Sequence, residues 1–181
     1  RFDEVVCVLN LEARGCRGAS IMFQVGPRSG DLVRRWAART RVPFADSISE
    51  AAYARMPNDT DFSITRNLGR PGLNFAFLEG VEVYHPPLDD LGHLDLASLQ
   101  HQGEHLLAGM EAADVASFEE TTRPVWLTLL GTTFVLSSSS ALLLSLLSLG
   151  LAVLGVARRL RHRELHASEV GAALVRTGPL L

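Results

Sequence analysis

Between Val125 and Ala157 the chain runs for 33 residues without a charged side chain. Spans this apolar seldom occur in water-soluble domains, so this run constrains the fold more than any other feature. As one helix rising 1.5 Å per residue it would measure about 50 Å, more than the roughly 30 Å hydrocarbon core of a bilayer requires. The serines from Ser137 to Ser140 are the natural place to divide it, and Ala141 to Ala157 (ALLLSLLSLGLAVLGVA) is its densest apolar part. The last serines bring that part to spanning length, which predicts a transmembrane helix over residues 138–157. The flanks carry opposite charge. Arg158, Arg159, Arg161 and Arg163 follow the run, whereas Glu119 and Glu120 precede it with only Arg123. Under the positive-inside rule the basic tail, residues 158–181, faces the cytoplasm, and everything before the span lies on the extracytoplasmic side, whether periplasmic, extracellular or lumenal.

The whole chain has 181 residues, 47% of them hydrophobic, and a formal net charge of -3. That length suits one core rather than two full domains, and the apolar content excludes a disordered chain. A net negative charge argues against a nucleic-acid partner. The balance is also uneven: up to Pro124 there are 12 Arg against 18 acidic residues, and after Ala157 5 Arg against 2 Glu. Two cysteines, Cys7 and Cys16, are too few for a disulfide scaffold; Cys7 reads as a small core residue and Cys16 as part of a turn. The chain opens on Arg1 with neither Met nor a signal peptide, which leads us to expect a fragment of a longer protein.

Ahead of the span, strand and helix patterns alternate. Asp3 to Leu11 and Ser20 to Val25 read as strands, each closed by glycine-containing turns. Asp31 can cap a helix to about Thr40, and short helices follow over Ser49 to Arg55 and Asp61 to Leu68. Pro71 to Leu78 is an apolar strand, Gly80 to Tyr84 is strand-like, and Leu96 to Ala116 is a long helical pattern. Such alternation predicts an α/β fold with helices on both faces of a sheet. Residues 1–118 form this domain, and residues 119–137 are a linker or interfacial segment before the span.

Three groups of residues could carry chemistry. Glu12 lies just past the first strand and His85 after the strand-like segment; strand ends at one sheet edge are where functional groups collect, and a carboxylate with an imidazole suits zinc. In Asn58-Asp59-Thr60-Asp61-Phe62, one acid can cap the helix that follows, which leaves the other free to orient a ligand. His101-Gln102-Gly103-Glu104-His105 matches H-x-x-E-H, with both histidines on one helix face. That motif needs a further acidic ligand downstream in the same domain, and Gly103 weakens the helix, so the two histidines read as solvated positions.

Four segments taken in order carry a resemblance: Asn10-Leu11-Glu12-Ala13-Arg14-Gly15 with Gly18, Asn58 to Phe62, Pro71-Gly72-Leu73-Asn74-Phe75-Ala76-Phe77, and Tyr84-His85-Pro86-Pro87-Leu88-Asp89. Together they resemble the co-catalytic zinc aminopeptidases of metallopeptidase family twenty-eight, in the branch of the membrane-bound endoplasmic-reticulum metallopeptidases. The resemblance covers about Asp3 to Ala116. It implies a three-layer α/β sandwich around a mostly parallel or mixed sheet, followed by a membrane helix. It also implies peptide hydrolysis by a water activated between two zinc ions. Glu12 takes the position of an acidic ligand to one zinc and His85 that of the histidine ligand to the other, and Asp59 matches an acid that supports the metals or the substrate; Asp61 stands beside it as a second candidate for that supporting role. The closing helix, with His101 and His105, holds no ligand in the family.

In this sequence Pro86-Pro87 follows the histidine where the family usually has Thr-Pro. The family's His-x-Asp pair and its Glu-Glu pair, which includes the general base, would stand upstream of Arg1. The 181 residues alone are therefore expected to be inactive. Two other classes stay open, a non-catalytic peptidase-like receptor or scaffold and a glutaminyl cyclase-type acyltransferase with a single zinc.

Overall fold

The computed structural model describes residues 4–57, 59–119 and 123–161. Asp3, Asn58, Glu120 and the tail beyond Arg161, which enter the expectations above, lie outside the described residues. The elements are β1 (Val8–Ala13), β2 (Ile21–Val25), α1 (Gly30–Arg39), α2 (Ser47–Tyr53), α3 (Asp61–Asn67), β3 (Gly72–Phe77), a 3-10 turn (Val81–Val83), α4 (Leu96–Ala113), β4 (Pro124–Leu129), β5 (Thr132–Ser137) and α5 (Ser138–Arg161). The fold is mixed α/β, and by its contacts the chain divides into two units, residues 1–138 and 139–181.

The first sheet has the order β1-β3-β2, with β1 parallel and β2 antiparallel to the central strand. Every residue of β3 is buried, as a strand covered on both faces requires, and Asn74 is the one polar side chain within it. Gly72 opens that strand because a Cβ there would collide with the carbonyl of Val8 and the ring of Phe62. The ladder starts at Val8 opposite Gly72, where Pro71 ends the partner strand. The apolar Val5-Val6-Cys7 therefore stays outside β1, and Glu12 falls within the strand rather than past its end.

A bulge in β2 at Phe23 interrupts the alternation of side chains. Met22 and Val25 join the main core, with Trp36 of α1, Phe75 of β3, Ala108 of α4 and Trp126. Ile21, Phe23 and Ala76 form a second cluster on the other face, against Tyr53 of α2. The expected strand over Gly80 to Tyr84 is instead the 3-10 turn, with Gly80 at φ 75°. Asp31 sits in the first turn of α1, not at its cap, which is Ser29. Partial burial raises the pKa of Asp31, but the hydrogen bonds from Arg35 and the Ser117 amide outweigh it and hold the carboxyl below its usual range.

The segment expected to be a linker contains a hairpin. Trp126 is buried in the main core, and its amide donates to the hydroxyl of Ser47. The amide of Thr128 donates to the Ala45 carbonyl, and its hydroxyl accepts from the Ala45 amide. At the hairpin root, Arg123 and Arg66 both pair with the buried Glu50 of α2, at 2.5 and 3.2 Å. The uncharged run is thus two structures, a hairpin anchored by one tryptophan and a helix. The 24-residue α5 contains an 18-residue stretch with a mean hydropathy of 2.3 and has no buried residue, so by length and composition it can cross a membrane.

The two histidines of α4 are not solvated positions. His105 is 1% exposed, edge-on to Trp36 and beside Phe75. The Nε2 atoms of His101 and His105 lie 2.8 and 3.0 Å from one acceptor, the carbonyl oxygen of Val42, whose two lone pairs can take both. The Ser20 amide donates to Nδ1 of His101, so one pair of imidazoles ties α4 to the residue that leads into β2 and to the loop after α1. Burial, above all, lowers the pKa of His105 from 6.5 to about 4. The folded protein holds that ring neutral, while the unfolded chain takes up a proton near its ordinary value. Stability from this group is complete above pH 6.5 and drains away as pH falls toward 4, by about 3 kcal/mol over the window. Chemical denaturation across that range should show the decline, and the His105→Gln variant should lack it. At neutral pH, His105→Ala should destabilise the fold by about 2–4 kcal/mol, through a cavity and the loss of one of the two hydrogen bonds to the Val42 carbonyl.

Candidate active site

Past Ala13 the chain continues beside the chain leaving β3. The amide of Arg14 donates to Phe77, those of Cys16 and Arg17 to Glu79, and Arg17 and Glu79 form a bridge. This close run depends on Gly15, where a Cβ would strike the carbonyl of Glu79. It brings the loop that carries His85 alongside the end of β1. Glu12, Asp59 and His85 consequently line one cleft of about 720 Å³, with Arg14, Phe23, Tyr53, Met56, Leu78 and Tyr84 among its other walls. Asp61, the first residue of α3, is exposed and stands outside that lining.

Glu12 is held by a chain of amides. The Nδ2 of Asn10, two residues earlier on the same face of β1, donates to Glu12 Oε1 at 2.8 Å and to Asn74 Oδ1 at 2.9 Å. Asn74 in turn donates to Gln24 Oε1 at 3.1 Å and to the Thr60 hydroxyl at 3.2 Å. From α4, Gln102 donates to the main-chain carbonyl of Glu12 at 2.8 Å. Neither Asp59 nor Asp61 caps α3. The cap is Thr60, whose side chain makes no capping bond, while Asp59 accepts the Thr60 amide at 2.9 Å. These supporting residues had a sequence signal: asparagine inside two apolar strands must find partners once buried.

His85 has a φ of 71°, left-handed for a residue that precedes proline, where extended backbone is the rule. Its amide donates to Asp89 Oδ2 at 3.0 Å, and its ring lies over that of Tyr84 with centroids 3.8 Å apart. The phenol of Tyr53, edge-on to Phe23, has a raised pKa, from burial first and then from the negative charges of Asp59 and Glu12. Cys7 and Cys16 are both free thiols, and burial raises Cys7 to about 11, which keeps it protonated and inert.

The cleft offers carboxylate oxygen and imidazole nitrogen, donors that zinc takes. Among the described residues, however, no three of His, Cys, Asp and Glu are grouped to hold a metal ion. Glu104 of the H-x-x-E-H sequence accepts from Gln100, and its histidines are bound to Val42.

Comparison with known proteins gives a consistent result. The profile of peptidase family M28 matches residues 1–110. Over 103 residues the chain is 35% identical to endoplasmic reticulum metallopeptidase 1 of Mus musculus, covering 55% of this chain and 12% of that protein. The protein of the same name from Homo sapiens is 35% identical over 103 residues, covering 55% of this chain and 11% of its own length. Vacuolar membrane protease of Clavispora lusitaniae is 31% identical over 102 residues, 55% of this chain and 10% of that protein. The chain thus spans only a small part of the relatives it matches. No solved structure matches it. Because the family match takes in Glu12, Asp59 and His85 together with the strands and helices that form their cleft, the chain belongs to peptidase family M28, in the branch of the endoplasmic reticulum metallopeptidases and vacuolar membrane proteases.

Proposed function

We propose that the protein containing this chain is a membrane-anchored, zinc-dependent exopeptidase. The observation that carries this reading is the convergence of Glu12, Asp59 and His85 on one cleft within a family M28 domain. Residues 1–118 would belong to a three-layer zinc exopeptidase sandwich, and α5 would be its anchor, with the sheet on the extracytoplasmic side. Glu12 and His85 would be ligands to two zinc ions. When bound, zinc supplies a Lewis acid for the scissile carbonyl and a water acidified toward neutrality.

The chain's own residues would prepare that chemistry. Asn10 fixes one oxygen of Glu12, so the other is available to a cation in a set orientation. Tyr84 and Asp89 aim His85 by stacking and by holding its amide. Asp59 supports the metals or the amino group of a peptide, and Phe23, Tyr53, Met56 and Leu78 give the cleft apolar walls. A zinc site takes three or four protein ligands, so further donors, and the general base, must come from outside the described residues.

In the complete protein, Glu12→Gln and His85→Ala should each cut peptide hydrolysis by well over about 100-fold, beyond the range reached by supporting residues around a metal. His101→Ala should keep both zinc and activity. Full activity in either cleft variant, with folding verified by circular dichroism, would defeat the reading. Asn10→Ala tests the support of Glu12: zinc affinity, read by competition with a chelator, should fall by about 10- to 100-fold while the fold persists. For topology, a reporter joined after Arg161 should be active only in the cytoplasm.

A further inference from the structure

The two faces of the β4–β5 hairpin differ in what covers them. Trp126 and its neighbours on one face pack on the main core. On the other, Val125, Leu127 and Leu129 stand opposite Leu136, Phe134 and Thr132, so five apolar side chains from both strands share one surface, with Thr132 beside the turn. Leu127 is 47% exposed, Leu129 56% and Phe134 53%. An exposed apolar patch of this kind marks a surface that meets another phase or partner.

The tip adds a second, independent observation. Leu130 and Gly131 join the strands with φ values of 51° and 76°, both positive, which is the signature of a type I′ turn. That turn favours Asn or Asp before Gly, because a side chain such as leucine is strained in the left-handed region. Leu130 is nevertheless there, and it is 97% exposed. Nothing in the folded domain rewards a leucine at this position. From Ser137 the chain passes to Ser138, the first residue of α5, with no linker, and no charge occurs between Arg123 and Arg158.

We propose that the outer face of the hairpin, with Leu130 at its tip, lies in the interfacial layer of the bilayer that α5 crosses. Reading α5 as a span is a premise of this proposal. The bilayer is favoured over a protein partner because the patch is continuous in sequence with the apolar helix and carries no charge to orient a partner. Strands of six residues reach about 20 Å, so the hairpin offers an apolar face of about that length.

The test uses the full chain in phosphatidylcholine vesicles whose acyl chains carry bromine near the headgroup or near the bilayer centre. Tryptophan is placed singly at Leu130, at Phe134, at Leu147 within α5, and at Leu91, an 88% exposed loop position. Emission is taken as the difference from the parent, whose Trp36 and Trp126 are buried. Leu130→Trp and Phe134→Trp should emit to the blue of Leu91→Trp and lose most intensity to shallow bromine, and Leu147→Trp to deep bromine. Quenching at Leu147 without quenching at Leu130 and Phe134 overturns the proposal and leaves the span intact. Blue emission at Leu130 that bromine does not touch also overturns it, and assigns the patch to a protein contact. Absence of deep quenching at Leu147 removes the span reading, and the proposal with it.

Discussion

The side chain of Asn74 has no exposure to solvent and joins Asn10 on β1, Gln24 on β2 and Thr60 at the start of α3. A buried amide left without partners costs roughly 2–7 kcal/mol, so its position is worth holding only when every partner is in place. The three strands and the cap of α3 must therefore assemble in one register for any of them to be comfortable. Through Asn10 the same amide reaches Glu12, so the condition for closing the sheet is also the condition for presenting the carboxylate. Core packing on the opposite face, around Met22, Trp36 and Phe75, supplies most of the apolar burial and demands the same register, because a slip of one residue would turn those side chains to the other face.

Periodicity made much of this fold legible. The buried run of β3, the short β2 and the helices α1 and α4 stand close to where apolar spacing places them. Local pattern failed where pairing decides. Among the described residues, the apolar ones before Val8 meet no partner strand, and Gly80 to Tyr84 turns because Gly80 adopts a left-handed conformation. The hairpin was hidden because it shares with α5 the property that drew attention to both, the lack of charge. Its own signals were present in the alternation around Trp126 and in Leu130-Gly131, yet hydropathy over a long window averages them away.

Of the candidate site, Glu12, Asp59 and His85 were legible, but only through the order of several short segments, since each alone reads as a turn residue. Their meeting in one cleft is a product of chain crossing: Gly15 lets the segment after β3 run against the end of β1. The supporting amides were harder to see because their partners are distant in sequence, 64 positions for Asn10 and Asn74. His101 and His105 went the other way. A motif that suggests metal binding is occupied by a structural task, both rings bonding to Val42. Helical spacing put them on one face, and no sequence signal said that the face was turned inward.

The place of β1 in the sheet has a consequence for how function is lost. Among the described residues β1 pairs only with β3, whereas β3 is flanked on both sides. In this 181-residue chain taken by itself, backbone amides of β3 should therefore exchange with solvent only when the whole domain opens, while those of β1 can exchange through a smaller opening that lifts only Cys7 and Leu9 from the edge of the Trp36 core. Such an opening removes Glu12 from the cleft without unfolding the protein. The heat sensitivity of the site would then be set by one strand and not by the melting of the domain, and a protease would find the segment around Cys7 before it found the core.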